Sequence, residues 1–239
     1  MDRDLHQSER LVPAHGEIGP QALTIMTTEH YNLQSARSAT ISESNGRASL
    51  FMGTVSSTLV ALGFIGQVSR LTEAFYVFSL VLLPTLLFLG LVTFERVLQS
   101  AIEAGIYARG INRIRHLYVE MAPNLKDYFI LSTSDDTGGL MQNMGLRRLR
   151  WQEYLSTAGT IAVINSIVAG VLVALVVSLL ITKLAPHLSI TQSLPLELGI
   201  GGAVFLVSLN TLQRYQRTEW LRSDQNLKAL FPSDVAGAR

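Results

Sequence analysis

The residue types that could perform chemistry are few in this 239-residue chain. Asp136-Thr137-Gly138 matches the triplet of aspartic proteases, but that chemistry needs two carboxylates sharing a proton, and the triplet occurs once, after another Asp in a turn-forming sequence. The chain has no cysteine, and its five histidines lack ligand-like spacing: His6, His15, His30, His116 and His187. We therefore predict no catalytic residue, no metal site and no cofactor, and a non-enzymatic protein.

Four long segments without a charged side chain decide the class of the protein. They run from Ala48 to Ser69, from Ala74 to Phe94, from Tyr154 to Thr182 and from Leu198 to Gln213. The first two would measure about 33 and 31 Å as helices, which matches the roughly 30 Å hydrocarbon layer of a bilayer. The third must tilt or leave its first turns, around Tyr154 to Thr160, in the headgroup region, and the fourth reaches a full span only if it begins near Leu194. The segments predict an integral membrane protein with four transmembrane helices.

Basic residues indicate the orientation of these spans. Of the 19 Lys and Arg residues, only Arg70 and Lys183 lie in the two short loops, and the rest lie in the terminal segments and the central segment. The positive-inside rule then places both termini in the cytoplasm and the protein in the plasma (cytoplasmic) membrane. The net charge of +1 argues against a nucleic-acid partner. Predicted interface anchors are Arg96, Arg147, Arg148, Arg150, Trp151, Arg214, Arg217 and Trp220.

The predicted fold is all-α, with two antiparallel transmembrane hairpins that carry cytoplasmic helical extensions. The short connection after Ser69 makes the first two spans neighbours, and the second helix should continue to about Met121, where Pro123 ends it. The connector between Pro123 and Gly145, which contains the apolar run from Tyr128 to Leu131, is expected to dock on these helices. The predicted division is a disordered tail at 1–26, a cytoplasmic helix at 27–47 capped by Thr27 or Thr28, a hairpin at 48–94, a cytoplasmic helical segment and connector at 95–153, a hairpin at 154–213, and a cytoplasmic helix and tail at 214–239.

Two rows of small residues mark faces of the spans. In the first span the row, which also contains Val60, keeps to one side of the helix, which favours close helix packing, although a weakly polar pore wall would have the same pattern. Its packing or pore-lining candidates are Ser49, Gly53, Ser56, Gly63 and Gln67. In the third span the row advances in steps of four and includes Ala162, Ser166, Gly170 and Ala174. Asn165 lies beside it, and we expect its amide to hydrogen-bond to a neighbouring helix or to line a conduction path.

Two stretches carry a resemblance to known proteins. Residues Gln34 to Gly66 (QSARSATISESNGRASLFMGTVSSTLVALGFIG) and Asp127 to Gly170 resemble an uncharacterised family of small bacterial multi-pass membrane proteins. A polar helix that leads into a tight two-helix hairpin with helical extensions is also similar in plan to the SLATT and Pycsar-type membrane effectors of bacterial antiphage systems. That resemblance implies nucleotide-triggered membrane disruption.

Two functions fit these features. The first is a homo-oligomer in the lipid bilayer, in which the two rows pack helices together to form a pore or a membrane-perturbing assembly. The alternative is a membrane-anchored scaffold or adaptor whose cytoplasmic helices bind a protein partner. The confidently placed spans contain no Asp, Glu, Lys, Arg or His, which argues against a proton relay or a voltage sensor.

Overall fold

The predicted all-α class is confirmed. The computed structural model describes residues 19–70, 72–144, 152–184 and 190–233, and within those ranges it contains helices and no strand. The α-helices are α1 (Pro20–Ser69), α2 (Glu73–Met121), α3 (Thr137–Asn143), α4 (Gln152–Leu155), α5 (Thr157–Leu184) and α6 (Ile190–Asn226), with a short 3-10 helix at Pro123–Tyr128. Four of them, α1, α2, α5 and α6, are long and apolar enough to cross a membrane.

The first two helices are much longer than a bilayer is thick. α1 has 50 residues and α2 has 49, which gives lengths of about 75 and 74 Å. Each is therefore an apolar half joined without a break to a polar half. α2 ends at Met121, as predicted, because Pro123 cannot continue the helix and restricts the residue before it.

α1 begins earlier than predicted, at Pro20 instead of Thr27 or Thr28. Proline suits a first helical position, because it has no backbone N–H to leave unpaired there. The hydroxyls of Thr24, Thr27 and Thr28 each donate to the carbonyl oxygen four residues earlier, so they are interior helix residues and not caps. Of the tail predicted at 1–26, residues 20–26 are thus helical, and residues 1–18 lie outside the described part of the chain.

The four long helices contact one another in the order α1, α2, α5, α6. α1 packs along α2, α2 along α5, and α5 along α6, while α1 and α6 share no substantial contact. The main core lies between α1, α2 and α5, where Phe51, Leu86, Phe94, Val97 and Ile161 are almost completely buried. This order makes α1 and α6 the two edges of a row, each with a largely uncovered outer face.

α5 and α6 approach closely through glycine. A Cβ on Gly170 would lie 2.7 Å from the carbonyl oxygen of Gly201, and a Cβ on Gly201 would lie 3.0 Å from the Cβ of Ala174. Both distances are too short for an ordinary contact, so larger side chains would force the helices apart. Gly170 and Ala174, from the row predicted in the third span, thus lie in this contact.

The connector docks on α2, largely through polar residues. Tyr128 is 79% exposed and Ile130 is 96% exposed, whereas the Asp135 side chain is fully buried. The reason is that the facing side of α2 carries buried Arg and Asn side chains, which need polar partners.

The fourth long helix also differs at its start. α6 begins at Ile190, four residues before the predicted Leu194, and Pro195 lies inside the helix. Proline removes one backbone hydrogen bond there, which is tolerable near a helix end where water can reach the freed carbonyl.

The glycine contact predicts a position-specific effect on stability. Replacing Gly201 by Leu should lower the free energy of unfolding by roughly 1–3 kcal/mol or more, because the new side chain meets the backbone of Gly170. Gly202, the next residue, has open space around its Cβ position and provides the matched control. Thermal unfolding in detergent measures both variants, and equal stability of Gly201→Leu and Gly202→Leu would contradict the packing described.

Candidate functional site

A cluster of buried polar residues lies where the polar halves of α2 and α6 meet the connector and the C-terminal segment. α2 contributes Arg109 and, one helical turn later, Asn112 and Arg113, so that together they reach the connector and the C-terminal segment. Arg109 is only 6% exposed and Asn112 is fully buried. Burying such groups is costly unless they are paired, and nearly every partner comes from a distant part of the chain. We call this cluster the polar junction.

Arg109 connects three elements. Its guanidinium pairs with the carboxylate of Asp224 on α6 and donates to the Thr137 hydroxyl and the Leu227 carbonyl, both at 3.2 Å. The Thr137 hydroxyl donates to the same Asp224 carboxylate at 2.8 Å. Burial raises the pKa of Asp224, but the hydrogen bonds from Arg109 and Thr137 together lower it by more than burial raises it. The pKa of Asp224 is therefore below the usual carboxyl value.

Asp135 fixes the C-terminal segment. Its carboxylate accepts from Arg113 Nε at 2.5 Å and from the backbone N–H groups of Leu230 and Phe231 at 3.0 and 2.8 Å. Burial raises the pKa of Asp135, but these two N–H groups and the Arg113 guanidinium together lower it below the ordinary carboxyl value. Phe231 also stacks on the ring of His116, with 3.8 Å between the ring centroids.

Asn112 provides a neutral centre. Its amide nitrogen donates to the Ser134 carbonyl at 2.8 Å, and its oxygen accepts from Asn143 at 2.9 Å and from Arg115 at 3.0 Å. Asn143 in turn accepts from the Ser132 backbone N–H at 2.6 Å. α3 and the connector are thereby held against α2 without a further charge.

The Asp-Thr-Gly triplet has a structural role here. Asp136 is the N-cap of α3 and accepts from the Gly139 backbone N–H at 2.8 Å and from the Ser233 backbone N–H and hydroxyl at 3.0 and 2.7 Å. Burial raises the pKa of Asp136, but these hydrogen bonds lower it more. Both Asp135 and Asp136 are therefore stabilised as carboxylates with separate donors, an arrangement unlike a proton-sharing protease pair.

The small-residue row of the first span lies on the outer face of α1. All five candidates are exposed: Ser49, Gly53, Ser56, Gly63 and Gln67. A Cβ on Gly53 or Gly63 would meet nothing within 4 Å. The row is therefore not used for packing within one copy of the described chain.

The candidates of the third span lie inside the helix row. Ala162, Asn165, Ser166 and Gly170 are buried, and Ala174 is half-buried. Gly90 of α2 leaves room for the Asn165 side chain, yet neither polar atom of that amide has a hydrogen-bond partner among the described residues. The Ser166 hydroxyl donates to the Ala162 carbonyl at 2.8 Å and lies 3.4 Å from the Ser208 hydroxyl on α6. The polar groups that the third span places at depth thus face neighbouring helices and not a channel within one chain.

The predicted interface anchors have mixed positions. Arg96, Arg214 and Arg217 are exposed, whereas the ring of Trp220 packs over Gly105 of α2, 3.2 Å from its Cβ position. Arg147, Arg148, Arg150 and Trp151 lie outside the described residues. No group of three or more potential metal ligands occurs in the ranges described.

Sequence reasoning missed the polar junction, although two signals were present. Arg109 and Arg113 repeat at helical spacing between apolar residues, and an acidic pair, Asp135 and Asp136, follows the same helix in a turn. Complementary charge at these places could have suggested pairing. The contribution of Asp224 and residues 227–233 could not have been predicted, because these residues lie about a hundred positions further along the chain.

Comparison with protein-family models, with curated proteins and with solved structures finds no match for this chain.

The polar junction predicts a large effect for one carboxylate. Asp135→Ala should lower the free energy of unfolding by roughly 2–4 kcal/mol, somewhat less than for a fully buried ion pair because Arg113 is one-third exposed. Hydrogen exchange at the Leu230 and Phe231 amides should accelerate at the same time. Glu43→Ala, which removes an exposed pair with Arg47, is the control and should change stability by less than about 1 kcal/mol. Unchanged exchange at residues 230 and 231 would refute the role of Asp135.

The lowered pKa values predict the pH dependence. A carboxyl group whose pKa is lower in the folded than in the unfolded protein stabilises the fold at any pH above its unfolded pKa, which is about 3.8 for Asp. That stabilisation is lost as the pH falls through the folded pKa. Stability contributed by Asp135 should be constant from pH 7 to about 5 and decline below about 4. Thermal unfolding between pH 7 and 3 measures it, and Asp135→Asn should lose less stability over this range than the wild type. Parallel curves for the two proteins would contradict this.

Proposed function

We propose that this chain is a non-enzymatic integral protein of the cytoplasmic membrane that assembles with further copies of itself through the outer face of α1, forming a pore or a membrane-perturbing assembly. Its helices form two antiparallel hairpins, α1 with α2 and α5 with α6, and the polar junction and both termini lie in the cytoplasm. The observation that carries the proposal is the exposed row of Ser49, Gly53, Ser56, Gly63 and Gln67 on α1.

Packing physics in a bilayer supports self-assembly. Lipid tails are as apolar as the helices, so helices associate in lipid mainly by close van der Waals packing, which small residues allow. The Ser56 hydroxyl donates to the Met52 carbonyl, so it can lie in an apolar contact without an unpaired donor. Exposed Leu59 and Phe64 lie on either side of the row, and exposed Val60 lies within it, so the outer face of α1 has both small and apolar side chains for a contact.

The order of the helices favours a ring. α1 and α6 are the two different edges of one row of helices. Repeated contact between α1 of one copy and α6 of the next gives a closed ring when the successive rotations between copies add up to a full turn. The outer face of α6 also has space beside its backbone, at Gly199 and Gly202. Ser56 and Gly202 lie about 12 and 16 Å from the cytoplasmic ends of their predicted spans, so the two edges can meet at similar depth.

One observation favours the alternative, a membrane-anchored scaffold. Four apolar side chains of the connector are exposed in the polar half of the molecule: Leu125, Tyr128, Ile130 and Leu131. Apolar patches of this kind often mark protein interfaces. This function predicts that a protein partner co-purifies with the wild-type chain but not with the Ile130→Ser variant. It also predicts that liposomes containing the wild-type protein release no ions.

Cross-linking tests the assembly directly, because the chain has no cysteine of its own. The double variant Ser56→Cys, Gly202→Cys should form intermolecular disulfides in membranes and give a ladder of oligomers, as expected for a ring. Ser56→Cys alone should form dimers only if two α1 faces meet. Val81→Cys, at an exposed position of α2, is the control and should remain monomeric.

Flux measurements complete the test. Liposomes that contain the wild-type protein should release ions or dye, and Gly53→Leu should reduce that release at least tenfold because a large side chain on the outer face of α1 would hold the copies apart. Val81→Leu serves as the matched control and should retain the wild-type release. A protein that neither cross-links nor releases either solute would overturn the proposal.

A further inference from the structure

Two arginines beside the polar junction lack the partners that the other buried charges have. Arg37 on α1 and Arg115 on α2 lie on facing helices and line one small cleft with Asn112 and Asn143. Arg109 and Arg113 each pair with a carboxylate, but within the described ranges neither Arg37 nor Arg115 contacts one. Among the described residues, the cleft is therefore a place of positive charge without a paired carboxylate.

The two guanidiniums are partly withdrawn from water. Arg37 Nε is buried and has no hydrogen-bond partner among the described residues, and the one hydrogen bond found for Arg115 goes to the neutral Asn112 oxygen at 3.0 Å. Burial, and then the charge of Arg37, lower the pKa of Arg115. The His30 ring lies nearby, and its pKa is also lowered, by burial and then by Arg115. Two like charges held close together in partial burial are unfavourable unless an anion neutralises them.

The cleft has a size and lining that suit a small anion. Its volume is about 50 Å³, which is room for a few water molecules or one phosphate-sized group. Ile111, Leu131 and Leu140 form apolar walls, which strengthen charge-assisted hydrogen bonds by excluding water. Guanidinium groups match phosphate oxygens in paired hydrogen bonds, and the nearby amide of Asn143 is a further polar group at the cleft.

We propose that the cleft between Arg37 and Arg115 binds a soluble phosphate-bearing anion, with Arg37 and Arg115 holding the phosphoryl oxygens. A membrane lipid could offer the same chemistry, but Asn112 lies 18 residues beyond Phe94, or about 27 Å along α2 from the end of the second apolar segment. That is farther than the headgroup region extends from the hydrocarbon core. The site goes beyond the proposed assembly, because it binds its ligand whether or not the copies associate.

Because the site connects α1, α2 and the connector, an anion there would favour the docked arrangement of all three. Mass action then makes the thermal stability of the protein depend on anion concentration. An empty site contains two repelling charges, so removing one of them should not destabilise the ligand-free protein. A purely structural arginine would behave in the opposite way.

The experiment uses the full chain in nanodiscs of neutral lipid, with inorganic phosphate as the probe and chloride at matched ionic strength as the reference. Phosphate, but not chloride, should raise the unfolding temperature by about 3–6 °C at ten times its dissociation constant. Arg37→Gln and Arg115→Gln should each weaken phosphate binding at least tenfold, measured by calorimetry. Both variants should unfold at or above the wild-type temperature when phosphate is absent.

Two controls distinguish the explanations. Arg47→Gln removes an arginine of α1 that pairs with Glu43, and it should leave phosphate binding unchanged. Arg115→Lys keeps the charge without the planar fork and should bind phosphate with intermediate affinity, whereas the unfolding temperatures of the two Gln variants show that they are folded. Equal effects of phosphate and chloride, or wild-type binding by Arg37→Gln, would overturn the proposal. Stabilisation by nanodiscs of phosphatidylglycerol without phosphate, lost in Arg37→Gln, would overturn it in favour of a lipid headgroup.

Discussion

The arrangement of the polar half depends on the burial of charge on one helix. α2 extends far beyond its apolar segment and carries Arg109 and Arg113 on a face that the rest of the molecule covers. Leaving the Arg109 guanidinium buried without a partner would cost several kcal/mol, and Arg113 is itself partly buried, so segments that supply carboxylates and carbonyls must come to this face. Asp135 and Asp224 satisfy that requirement. The connector, α6 and the C-terminal segment are therefore organised around α2.

The apolar half follows different physics. Its cohesion comes from shape, as in the contact of Gly170 with Gly201, and from the core around Phe51, Phe94 and Ile161. Asn165 is the exception, because its amide is fully buried there without a hydrogen bond among the described residues. Close packing can bring helices together in any number, whereas paired charges specify individual partners. This difference explains how one molecule can have a polar half with a defined arrangement and helix edges that remain free for association.

The proposed assembly and the proposed anion site occupy different halves, and α1 and α2 connect them. Both are single helices of about 75 Å, so a change in how their polar halves pack can be transmitted as a rigid displacement to their apolar halves. Arg37 and Arg115 lie on these two helices, in a cleft that the connector closes. An anion that draws the two guanidiniums together would thus act on the same pair of helices whose outer face we propose as the assembly surface.

Local features of the sequence determined the four long apolar helices, the all-α class and the end of α2 before Pro123, because hydropathy and proline act within a few residues. Helical spacing also placed the small residues of α1 on one face, but only the tertiary structure decided that this face points outward, since the rotation of a helix depends on its neighbours. The sequence predicted that the connector docks but not which of its residues make the contacts, because Asp135 has partners 22 and 95 residues away in the chain. Ion pairs across such separations have no local signature, and neither has the proximity of Arg37 and Arg115, which arises only when α1 packs along α2.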